Sequence, residues 1–400
     1  MPLLPTSERM SDMRILILRT MANVLHLTTY NLQEVGLAKA LTRLGHHCDI
    51  VYYTDEKKDR HETILFDGDK AITILWTHGY NIFYEAFYPS LKKYIGDYDI
   101  IQVSEYVGIN SLWLNAKHQD KTVNYQGPYY SPYNKKDNLR AFVLDRLFLP
   151  FSHPSKMIVG TKSILATQYL QKKHIPNVTT IGVGMDPDNM TLPLKEELPT
   201  FVQEVKAKKQ SFKYLLYIGR LEQRRNILFL LDVLHRAVQK DESIRLVLIG
   251  KGEKEYLEEC RAKMAALQIQ DKILYSPQVE QKFVCEIYRC CDLFLLPTRY
   301  EIFGMVLLEA MYFGLPALTT YNGGSSTLIR EGENGYIIDQ MDPELWADRI
   351  CSVLDDPSHM AEVSRQASST IAQGYTWDIL APRFLELYNK RLSGVKKPES

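Results

Sequence analysis

The sequence contains no long apolar segment. None of its hydrophobic stretches approaches the roughly 20 residues that a helix needs to cross a bilayer, and no basic patch followed by an apolar run opens the chain. An excess of charge of one sign is also missing, because 48 Lys and Arg balance 48 Asp and Glu. No overall field is therefore available to hold nucleic acid. We expect a cytoplasmic protein that binds no nucleic acid, with a short flexible tail over residues 1–12 and at most peripheral contact with the inner face of a membrane.

Cysteine is scarce and unpaired in sequence. No CxxC pair occurs, and His and Cys never approach metal-ligand spacing, so we predict reduced cysteines in the core and no metal site. Asp67-Gly68-Asp69 allows a metal-binding interpretation, but an Asp-Gly turn between two strands explains it better. The six cysteines are Cys48, Cys260, Cys285, Cys290, Cys291 and Cys351.

The pattern that is present is an alternation of strands and helices. At 400 residues and 45% hydrophobic, the chain is long enough for two domains. A buried strand within residues 13–21 is followed by a helix that Gly45 closes, and the rhythm continues, with an aromatic-rich helix expected after the strand AITILW. Such alternation predicts an α/β fold with parallel sheets and right-handed crossovers.

Residues 182–199 interrupt this rhythm with turn formers and proline, and a second series begins at YLLYIGR. We predict two doubly wound domains that face a cleft, followed by a C-terminal helix that either stays with the second domain or crosses back to the first. The predicted boundaries are 13–186 for the first domain, 187–210 for a linker, 211–375 for the second domain and 376–400 for the C-terminal helix and tail.

The strongest local motif lies where a strand ends at Pro297 and the loop TRYEIFG leads into a helix near Gly304. Glu301 falls in this loop and Glu309 on the first turns of the helix, so both carboxylates can face one ligand. Backbone amides at the start of that helix suit phosphate oxygens, and carboxylates accept hydrogen bonds from sugar hydroxyls. The motif therefore fits a polyol joined to a diphosphate.

A second motif, YIGRLEQRRN, follows another predicted strand. Gly219 lets the backbone approach a ligand closely, and Arg220 and Arg225 lie in the next loop. Two arginines at the carboxyl edge of a sheet form a clamp that would neutralise a leaving diphosphate. We interpret the neighbouring Arg224 as an ordinary solvated charge.

Five motifs in order carry a family resemblance. GRL-x3-R, LIGKG, the E-x7-E pattern of EIFGMVLLEAM, GLPALTT, and the paired glycines before NGYIID together resemble glycosyltransferase family 4, the glycosyl transferases group 1. Members of this family are retaining enzymes of the GT-B fold, in which two Rossmann-like domains face a central cleft. The resemblance is clearest over residues 214–339.

The resemblance implies a role for each matching residue. Arg220 and Arg225 would bind the donor diphosphate, Glu309 the ribose hydroxyls, and Glu301, the expected catalytic residue, the hydroxyls of the transferred sugar. It implies neither a metal nor a cofactor, because the arginine clamp takes over the task of a metal, and no enzymic base, because the diphosphate itself helps to deprotonate the acceptor. Further contacts to the diphosphate would come from Gly219, Phe303, Gly304, Met305 and Val306, and the base would be framed by Pro277, Gln278 and Val279.

Several positions depart from the family pattern. Arg225-Asn226 replaces Lys-Gly, and Asn tolerates a left-handed turn. Thr28-Thr29 stands where paired glycines are common, and Thr327 where an acidic residue often follows two glycines. Gln126 replaces a histidine on the acceptor side, where Tyr30 is a second candidate. Because Gln cannot act as a general base, a histidine-like role there is doubtful.

The expected activity is transfer of a hexose from a nucleotide-diphosphate sugar, expected to be UDP-linked, with retention of configuration. The acceptor would be a saccharide or lipid-linked saccharide in bacterial surface polysaccharide or glycoconjugate synthesis. Two alternatives stay open: a nucleotide-sugar epimerase of GT-B fold, and a catalytically silent partner subunit.

Two aromatic segments of the first domain remain to be interpreted. The run from Trp76 to Tyr98 is either a packed helical face, an acceptor groove or a membrane-facing patch. The segment YYSPYNKKDNLRAFVLDRLFLPFSHPSK interleaves basic and apolar residues, which could contact anionic lipid or a lipid diphosphate. Its basic residues are Lys135, Lys136, Arg140, Arg146 and Lys156.

Overall fold

The computed structural model describes residues 12–27, 32–82, 84–190 and 197–394. The acceptor-side candidate Tyr30, the pair Thr28-Thr29 and nearly all of the predicted tail lie outside the described residues.

The first domain is built on an eight-stranded sheet. Its strands lie in the order β10-β9-β8-β7-β1-β2-β4-β3, and every neighbouring pair except β3–β4 is parallel. The strands are β1 (Arg14–Leu18), β2 (His47–Thr54), β3 (Arg60–Phe66), β4 (Lys70–His78), β5 (Tyr80–Ile82), β6 (Glu85–Phe87), β7 (Ile100–Ser104), β8 (Thr122–Gln126), β9 (Ile158–Thr161) and β10 (Asn177–Thr180). The α-helices are α1 (Gln33–Arg43), α2 (Ile109–Lys117), α3 (Lys135–Phe148) and α4 (Ile164–Gln171). Short 3-10 helices span Pro89–Lys93, Ile95–Asp97, Leu149–Ser152 and Pro154–Lys156.

The central strand β1 is covered on both faces. Ile15, Leu16 and Leu18 are 0% exposed, as expected for a strand between helical layers. The next helix, α1, ends at Arg43, and Gly45 follows with a φ of 95°. A left-handed residue just beyond a helix is readily supplied by glycine, so the predicted closure of this helix is confirmed.

The aromatic-rich helix predicted after β4 is wrong. Residues 80–82 and 85–87 pair as the small antiparallel hairpin β5–β6 instead, and two 3-10 helices follow it. The Asn81 side chain accepts a hydrogen bond from the Tyr84 amide at 3.0 Å, and Tyr84 takes a φ of 69°. This local turn, together with Pro89 and Gly96, interrupts helical geometry, and aromatic residues fit strands well.

The predicted Asp-Gly turn is confirmed. Strands β3 and β4 pair antiparallel around Asp67 and Gly68, which have φ angles of 47° and 86°. The Asp67 carboxylate forms an ion pair with the Arg43 guanidinium, with 2.6 Å between Oδ2 and Nε. No group of three or more His, Cys, Asp or Glu that could hold a metal ion occurs among the described residues. All six cysteines are free, and five of them are buried, in agreement with the predicted core packing.

The second domain is built on a six-stranded parallel sheet with the order β13-β12-β11-β14-β15-β16. Its strands are β11 (Lys213–Ile218), β12 (Ile244–Ile249), β13 (Ile273–Ser276), β14 (Leu293–Leu296), β15 (Ala317–Thr319) and β16 (Tyr336–Ile337). Its helices are α5 (Thr200–Lys208), α6 (Ile227–Lys240), α7 (Lys254–Leu267), α8 (Gln281–Cys290), α9 (Met305–Tyr312), α10 (Ser325–Leu328), α11 (Pro343–Leu354) and α12 (Pro357–Gly374). Short 3-10 helices span Pro187–Met190, Lys209–Ser211, Gln223–Arg225 and Gln270–Lys272.

Helix α5 lies within the predicted linker. It packs on α8, where Lys206 forms an ion pair with Glu286. The chain therefore already belongs to the second domain at Thr200, whereas the sequence interpretation placed the boundary after residue 210.

A final helix, α13 (Trp377–Ser393), returns to the first domain. Its Tyr388 hydroxyl donates to the Gln102 side chain at 2.6 Å, and Arg391 donates to the carbonyl of Thr122 at 3.0 Å. The C-terminal helix thus crosses back to the first domain, one of the two possibilities that the sequence left open. No helix among the described residues is both long and apolar enough to span a membrane.

The chain crosses between the domains twice, once near Met185 and once near Trp377, and the two crossing segments lie side by side. In the segment that leaves the first domain, the Met185 carbonyl accepts a hydrogen bond from the Trp377 amide at 3.1 Å. The Met185 amide donates to the Tyr375 carbonyl at 3.0 Å. The Trp377 ring is 2% exposed, and a Cβ on Gly36 or Gly184 would lie 2.3 Å or 2.6 Å from that ring. Only glycine at these two positions lets the ring seat between α1 and the outgoing passage.

We predict that Gly184→Ala lowers the free energy of unfolding by about 1–3 kcal/mol, because the added methyl overlaps the Trp377 ring and forces it to move. Urea unfolding followed by tryptophan fluorescence measures the change. Gly96→Ala is the matched control, since a Cβ there meets nothing within 4 Å. Equal stability of the two variants would contradict this account of the crossing.

Candidate functional site

The carboxyl ends of the two sheets meet at a cleft that Tyr129 bridges. Its hydroxyl donates to the Glu301 carbonyl at 3.1 Å and accepts from the Gly323 amide at 3.1 Å. Nearby, a Cβ on Gly127 would lie only 2.9 Å from the Ile302 side chain. The loop after β8 therefore packs directly against the loop after β14.

Glycines shape the loop that carries Glu301. A Cβ on Gly324 would lie 1.8 Å from the Phe303 carbonyl oxygen, and one on Gly323 would lie 2.1 Å from that of Ile302. The backbone of the loop thus rests on the paired glycines, which have no side chain to push it away. Gly304 then takes a φ of 79°, a left-handed conformation that suits glycine, and α9 begins at the next residue.

Arg225 and Glu301, predicted to bind adjoining parts of one ligand, lie in direct contact. Their charged groups form an ion pair, and the two side chains are only 16% and 15% exposed. Asn226 takes the left-handed conformation expected of it, with φ 56°, and its side-chain amide donates to the Pro297 carbonyl at 2.7 Å. The arginine loop is thereby fastened to the end of β14. Arg224 is 53% exposed and pairs with Glu222 at 2.7 Å, as a surface charge does.

Helix α9 places Glu309 beneath the loop. The residue is 4% exposed, and its carboxylate accepts from the Tyr288 hydroxyl at 2.9 Å. Its assignment to ribose stays a prediction. The amides of Met305 and Val306 lie in the first turn of α9, where a helix has no carbonyl of its own to bond them. Glu301 lies beside this end of α9, since a Cβ on Gly304 would lie 3.1 Å from its side chain.

The remaining donor-side candidates follow neighbouring strands of the same sheet. Gly219 follows β11, and its carbonyl oxygen would lie 1.8 Å from a Cβ on Gly250. Arg220 is exposed beside it. Pro277 and Gln278 are exposed just beyond β13, and Val279 is half-buried there. The carboxyl ends of parallel strands share one edge of a sheet, so the loops that carry the predicted donor residues gather at one edge of the second sheet.

The first domain contributes a cavity of about 220 Å³ opposite this edge. Gln126 lines it, but both polar groups of its side chain are already bonded: it accepts from the Tyr106 amide at 3.1 Å and donates to the Pro128 carbonyl at 2.8 Å. Gln126 therefore shapes the cavity rather than presenting a free polar group. The residues that line the cavity also include Glu105, Tyr129, Asn138, Arg140 and Ile302.

Glu105 is the residue that the sequence interpretation missed. It follows β7 with a φ of 62°, a backbone strain that non-glycine residues seldom carry and that concentrates at functional positions. Burial raises the pKa of its carboxyl, and the nearby Lys162 opposes that shift. The signal in the sequence was a glutamate directly after the apolar strand IIQVS.

Lys162, after β9, completes a charged group at the same edge. Its ammonium donates to the Gln33 side chain at 3.0 Å. Burial lowers its pKa, while the carboxylates of Glu34 and Glu105 work in the opposite direction. Arg19 pairs with Glu34 at 3.1 Å. The first-domain side of the cleft is therefore polar and contains both signs of charge.

Thr327, at the position where the family often has an acidic residue, makes a contact between domains. Its hydroxyl accepts from the Ile164 amide at the start of α4 at 3.0 Å. Tyr375 donates to its carbonyl at 3.2 Å. A short hydroxyl thus satisfies a helix N-terminus of the opposite domain.

We predict that Tyr129→Phe speeds hydrogen exchange at the Gly323 amide roughly fivefold, since the lost bond is worth about 1 kcal/mol. Hydrogen–deuterium exchange with peptide mapping over residues 298–326 measures it. Tyr130→Phe is the matched control, because Tyr130 is the adjacent residue and is 63% exposed. Unchanged exchange in Tyr129→Phe would show that the bridge does not restrain the loop.

The second domain is similar in sequence to a family of known proteins. Residues 200–370 match the sequence profile of the family Glycosyl transferases group 1. The D-inositol 3-phosphate glycosyltransferase of Xylanimonas cellulosilytica is 27% identical over 219 residues, 54% of this chain and 51% of that protein. Mannosylfructose-phosphate synthase of Agrobacterium fabrum is 27% identical over 248 residues, 59% of this chain and 53% of that protein. The match thus spans about half the length of these relatives.

Solved structures resemble the whole chain. HepE of Anabaena in complex with UDP and glucose has a TM-score of 0.66 at 17% identity, covering 94% of this chain and 99% of its own. Sucrose-phosphate synthase of Thermosynechococcus elongatus has a TM-score of 0.69 at 16% identity, covering 95% of this chain and 100% of its own. At such identities the likeness shows the fold. The second domain therefore matches the family Glycosyl transferases group 1, and the two domains together have the GT-B fold.

Proposed function

We propose that the protein is a retaining glycosyltransferase that moves a hexose from a UDP-linked sugar to a hydroxyl of a saccharide or lipid-linked saccharide. The observation that carries the proposal is the contact between Arg225 and Glu301 beside the first-turn amides of α9. It supplies a cation, a carboxylate and helix N-terminal donors at one place. Similar structures carry UDP with glucose and UDP-glucose, which supports this class of donor.

Each group at the donor edge has a distinct task. The guanidinium of Arg225, with that of Arg220, would bind the diphosphate and offset the charge that grows on it as the bond to the sugar breaks. The amides of Met305 and Val306 would bind a phosphate oxygen at the positive end of the α9 dipole. Glu301 would accept hydrogen bonds from sugar hydroxyls. Because Glu301 contacts Arg225, sugar and diphosphate would be oriented by one connected unit.

The acceptor would bind in the first-domain cavity. The carboxylate of Glu105 would accept a hydrogen bond from the hydroxyl group of the acceptor substrate. Ile302, in the donor loop, forms part of the same cavity wall. The names of two relatives include phosphorylated products or acceptors, inositol 3-phosphate and mannosylfructose phosphate. Arg140 in the cavity wall would provide a cation for such a phosphate.

The alternatives can be separated at the same residues. The Arg225–Glu301 contact is present in this chain, which argues against a catalytically silent subunit. A nucleotide-sugar epimerase needs an acid or base in the cleft, and Glu105 is such a group. Transfer and epimerisation give different products, so analysis of the sugar released from UDP-glucose distinguishes them.

We predict that Glu301→Ala and Arg225→Ala each lower kcat/KM by about 100- to 1,000-fold, because each removes charge stabilisation or orientation at the reacting sugar. Release of UDP from a panel of UDP-sugars measures turnover. Arg224→Ala is the matched control for Arg225, being the adjacent arginine with 53% of its side chain exposed, and it should stay within about threefold, as most exposed substitutions do. Wild-type turnover in Glu301→Ala would refute the assignment of the donor site.

We predict that Glu105→Gln raises the KM for the acceptor about tenfold or more while leaving donor affinity unchanged, since Gln keeps the shape but loses the charge-assisted bond. The sign of the pH dependence follows from the raised pKa of Glu105. The carboxylate is lost as pH falls through that pKa, so wild-type transfer should decline on the acidic side and the decline should be smaller in Glu105→Gln.

Transfer to a panel of sugars and sugar phosphates, followed from pH 5 to 9, tests this prediction. Glu56→Gln serves as the control, because Glu56 is an exposed glutamate of the same domain. An identical pH profile and acceptor KM in Glu105→Gln would exclude Glu105 from the acceptor site and leave the donor assignment untouched.

A further inference from the structure

Helix α3 presents its apolar face to solvent. Leu139 is 65% exposed, Phe142 65%, Val143 44% and Leu147 54%. These residues recur at three- and four-residue steps, so they lie along one face of the helix. A surface helix ordinarily turns such a stripe towards the core.

Polar residues hold the opposite face of α3 to the protein. Asn138 donates to the Ser131 carbonyl at 2.6 Å, and the Asp145 carboxylate accepts from the Tyr106 hydroxyl at 2.7 Å. Asp145 also pairs with Lys173. The orientation of α3 is therefore fixed by specific polar contacts, and the exposed apolar stripe is not the result of a loosely attached helix.

The apolar surface continues beyond the helix at both ends. We define the α3 patch by the exposed residues Tyr133, Leu139, Phe142, Val143, Leu147 and Phe151, of which Phe151 is 72% exposed and Tyr133 60%. The hairpin β5–β6 contacts the same helix, because Arg140 of α3 forms an ion pair with Glu85 of that hairpin. Its Tyr84 is 85% exposed. Aromatic and aliphatic side chains in this combination favour a membrane interface.

The charge of the patch indicates which surface it fits. Lys135, Lys136 and Arg146 are exposed on α3, against the single exposed carboxylate of Asp137. The chain as a whole has a formal net charge of zero, so this basic excess is local. Basic side chains beside exposed apolar ones match a bilayer whose headgroups are anionic, where each lysine or arginine gains from the negative surface potential.

The patch also lies next to the cavity. Asp137, Asn138 and Arg140 line the cavity from the same helix whose opposite face is exposed and apolar. We propose that the α3 patch docks on an anionic bilayer and thereby holds the first-domain cavity at the level of the headgroups. Docking itself is independent of the proposed activity; that it delivers a lipid-linked acceptor to the cavity rests on the proposed function.

Vesicle flotation with the full chain tests the docking. The protein should float with vesicles of phosphatidylcholine and phosphatidylglycerol in equal parts, and far less with phosphatidylcholine alone. Leu139→Glu with Phe142→Glu should lower the partition coefficient at least about tenfold, because a buried apolar contact becomes a repelled charge. Lys135→Glu with Lys136→Glu should lower it as well and reduce its dependence on salt.

Two matched controls separate the patch from general surface effects. Leu65→Glu changes an exposed leucine of the same domain, 70% exposed on β3, and should float like the wild type. Lys57→Glu with Lys58→Glu changes an exposed pair of adjacent lysines outside the patch and should also float. Circular dichroism and thermal unfolding of each variant show whether the fold is kept.

Three results would overturn the proposal: no flotation of the wild type with either vesicle, equal loss in Leu65→Glu, or a wild-type dimer in light scattering that Leu139→Glu converts to a monomer. The last outcome would mean that a second copy of the chain covers the patch. Because flotation needs no donor, it can fail while UDP release persists, so the two proposals are tested separately.

Discussion

The cleft depends on how Trp377 is packed. The chain passes between domains twice, and at the second passage this ring fits against positions 36 and 184, where only glycine leaves room for it. The backbone bonds between Met185 and the residues on either side of Thr376 tie the two passages together. Since α13 begins at Trp377 and packs on the first sheet, the relative placement of both sheets follows from this contact. The loops that carry Arg225, Glu301 and Glu105 each follow a strand of one sheet or the other.

The donor edge is built by backbone contacts more than by side-chain packing. Gly323 and Gly324 let the Glu301 loop approach within ordinary contact distance, and Asn226 fastens the arginine loop to the end of β14, the strand that precedes the Glu301 loop. Glu301 and Arg225 consequently meet although 76 residues separate them. A carboxylate and a guanidinium held on such supports need little reorganisation to receive a sugar diphosphate, which is the condition for electrostatic stabilisation to act.

The sequence indicated which residues gather at the proposed donor edge better than it did for the proposed acceptor edge, and the reason is physical. Around Glu301 the chemistry lies in one continuous strand, loop and helix, so spacing alone places its parts. On the other side, Glu105, Lys162 and Gln126 come from the ends of three separate strands, and only the sheet order brings them together. The misassigned helix after β4 shows the same limit, because a single Asn81 turn outweighed the aromatic spacing. Fold class, by contrast, follows from periodicity that extends over many residues, whereas the return of the C-terminal helix to the first domain depends on tertiary contacts that periodicity does not encode.

Tyr129 joins the two edges, and its protonation state matters for that contact. The hydroxyl donates to the Glu301 carbonyl while it accepts from the Gly323 amide, so it needs its proton and a lone pair at the same time. Burial raises the pKa of this phenol, and Tyr300, in ring contact with it, contributes in the same direction. A phenolate could still accept from the amide but would repel the carbonyl. A phenol is already neutral at pH 7, so burial of Tyr129 extends to higher pH the range over which one neutral hydroxyl holds the two loops together.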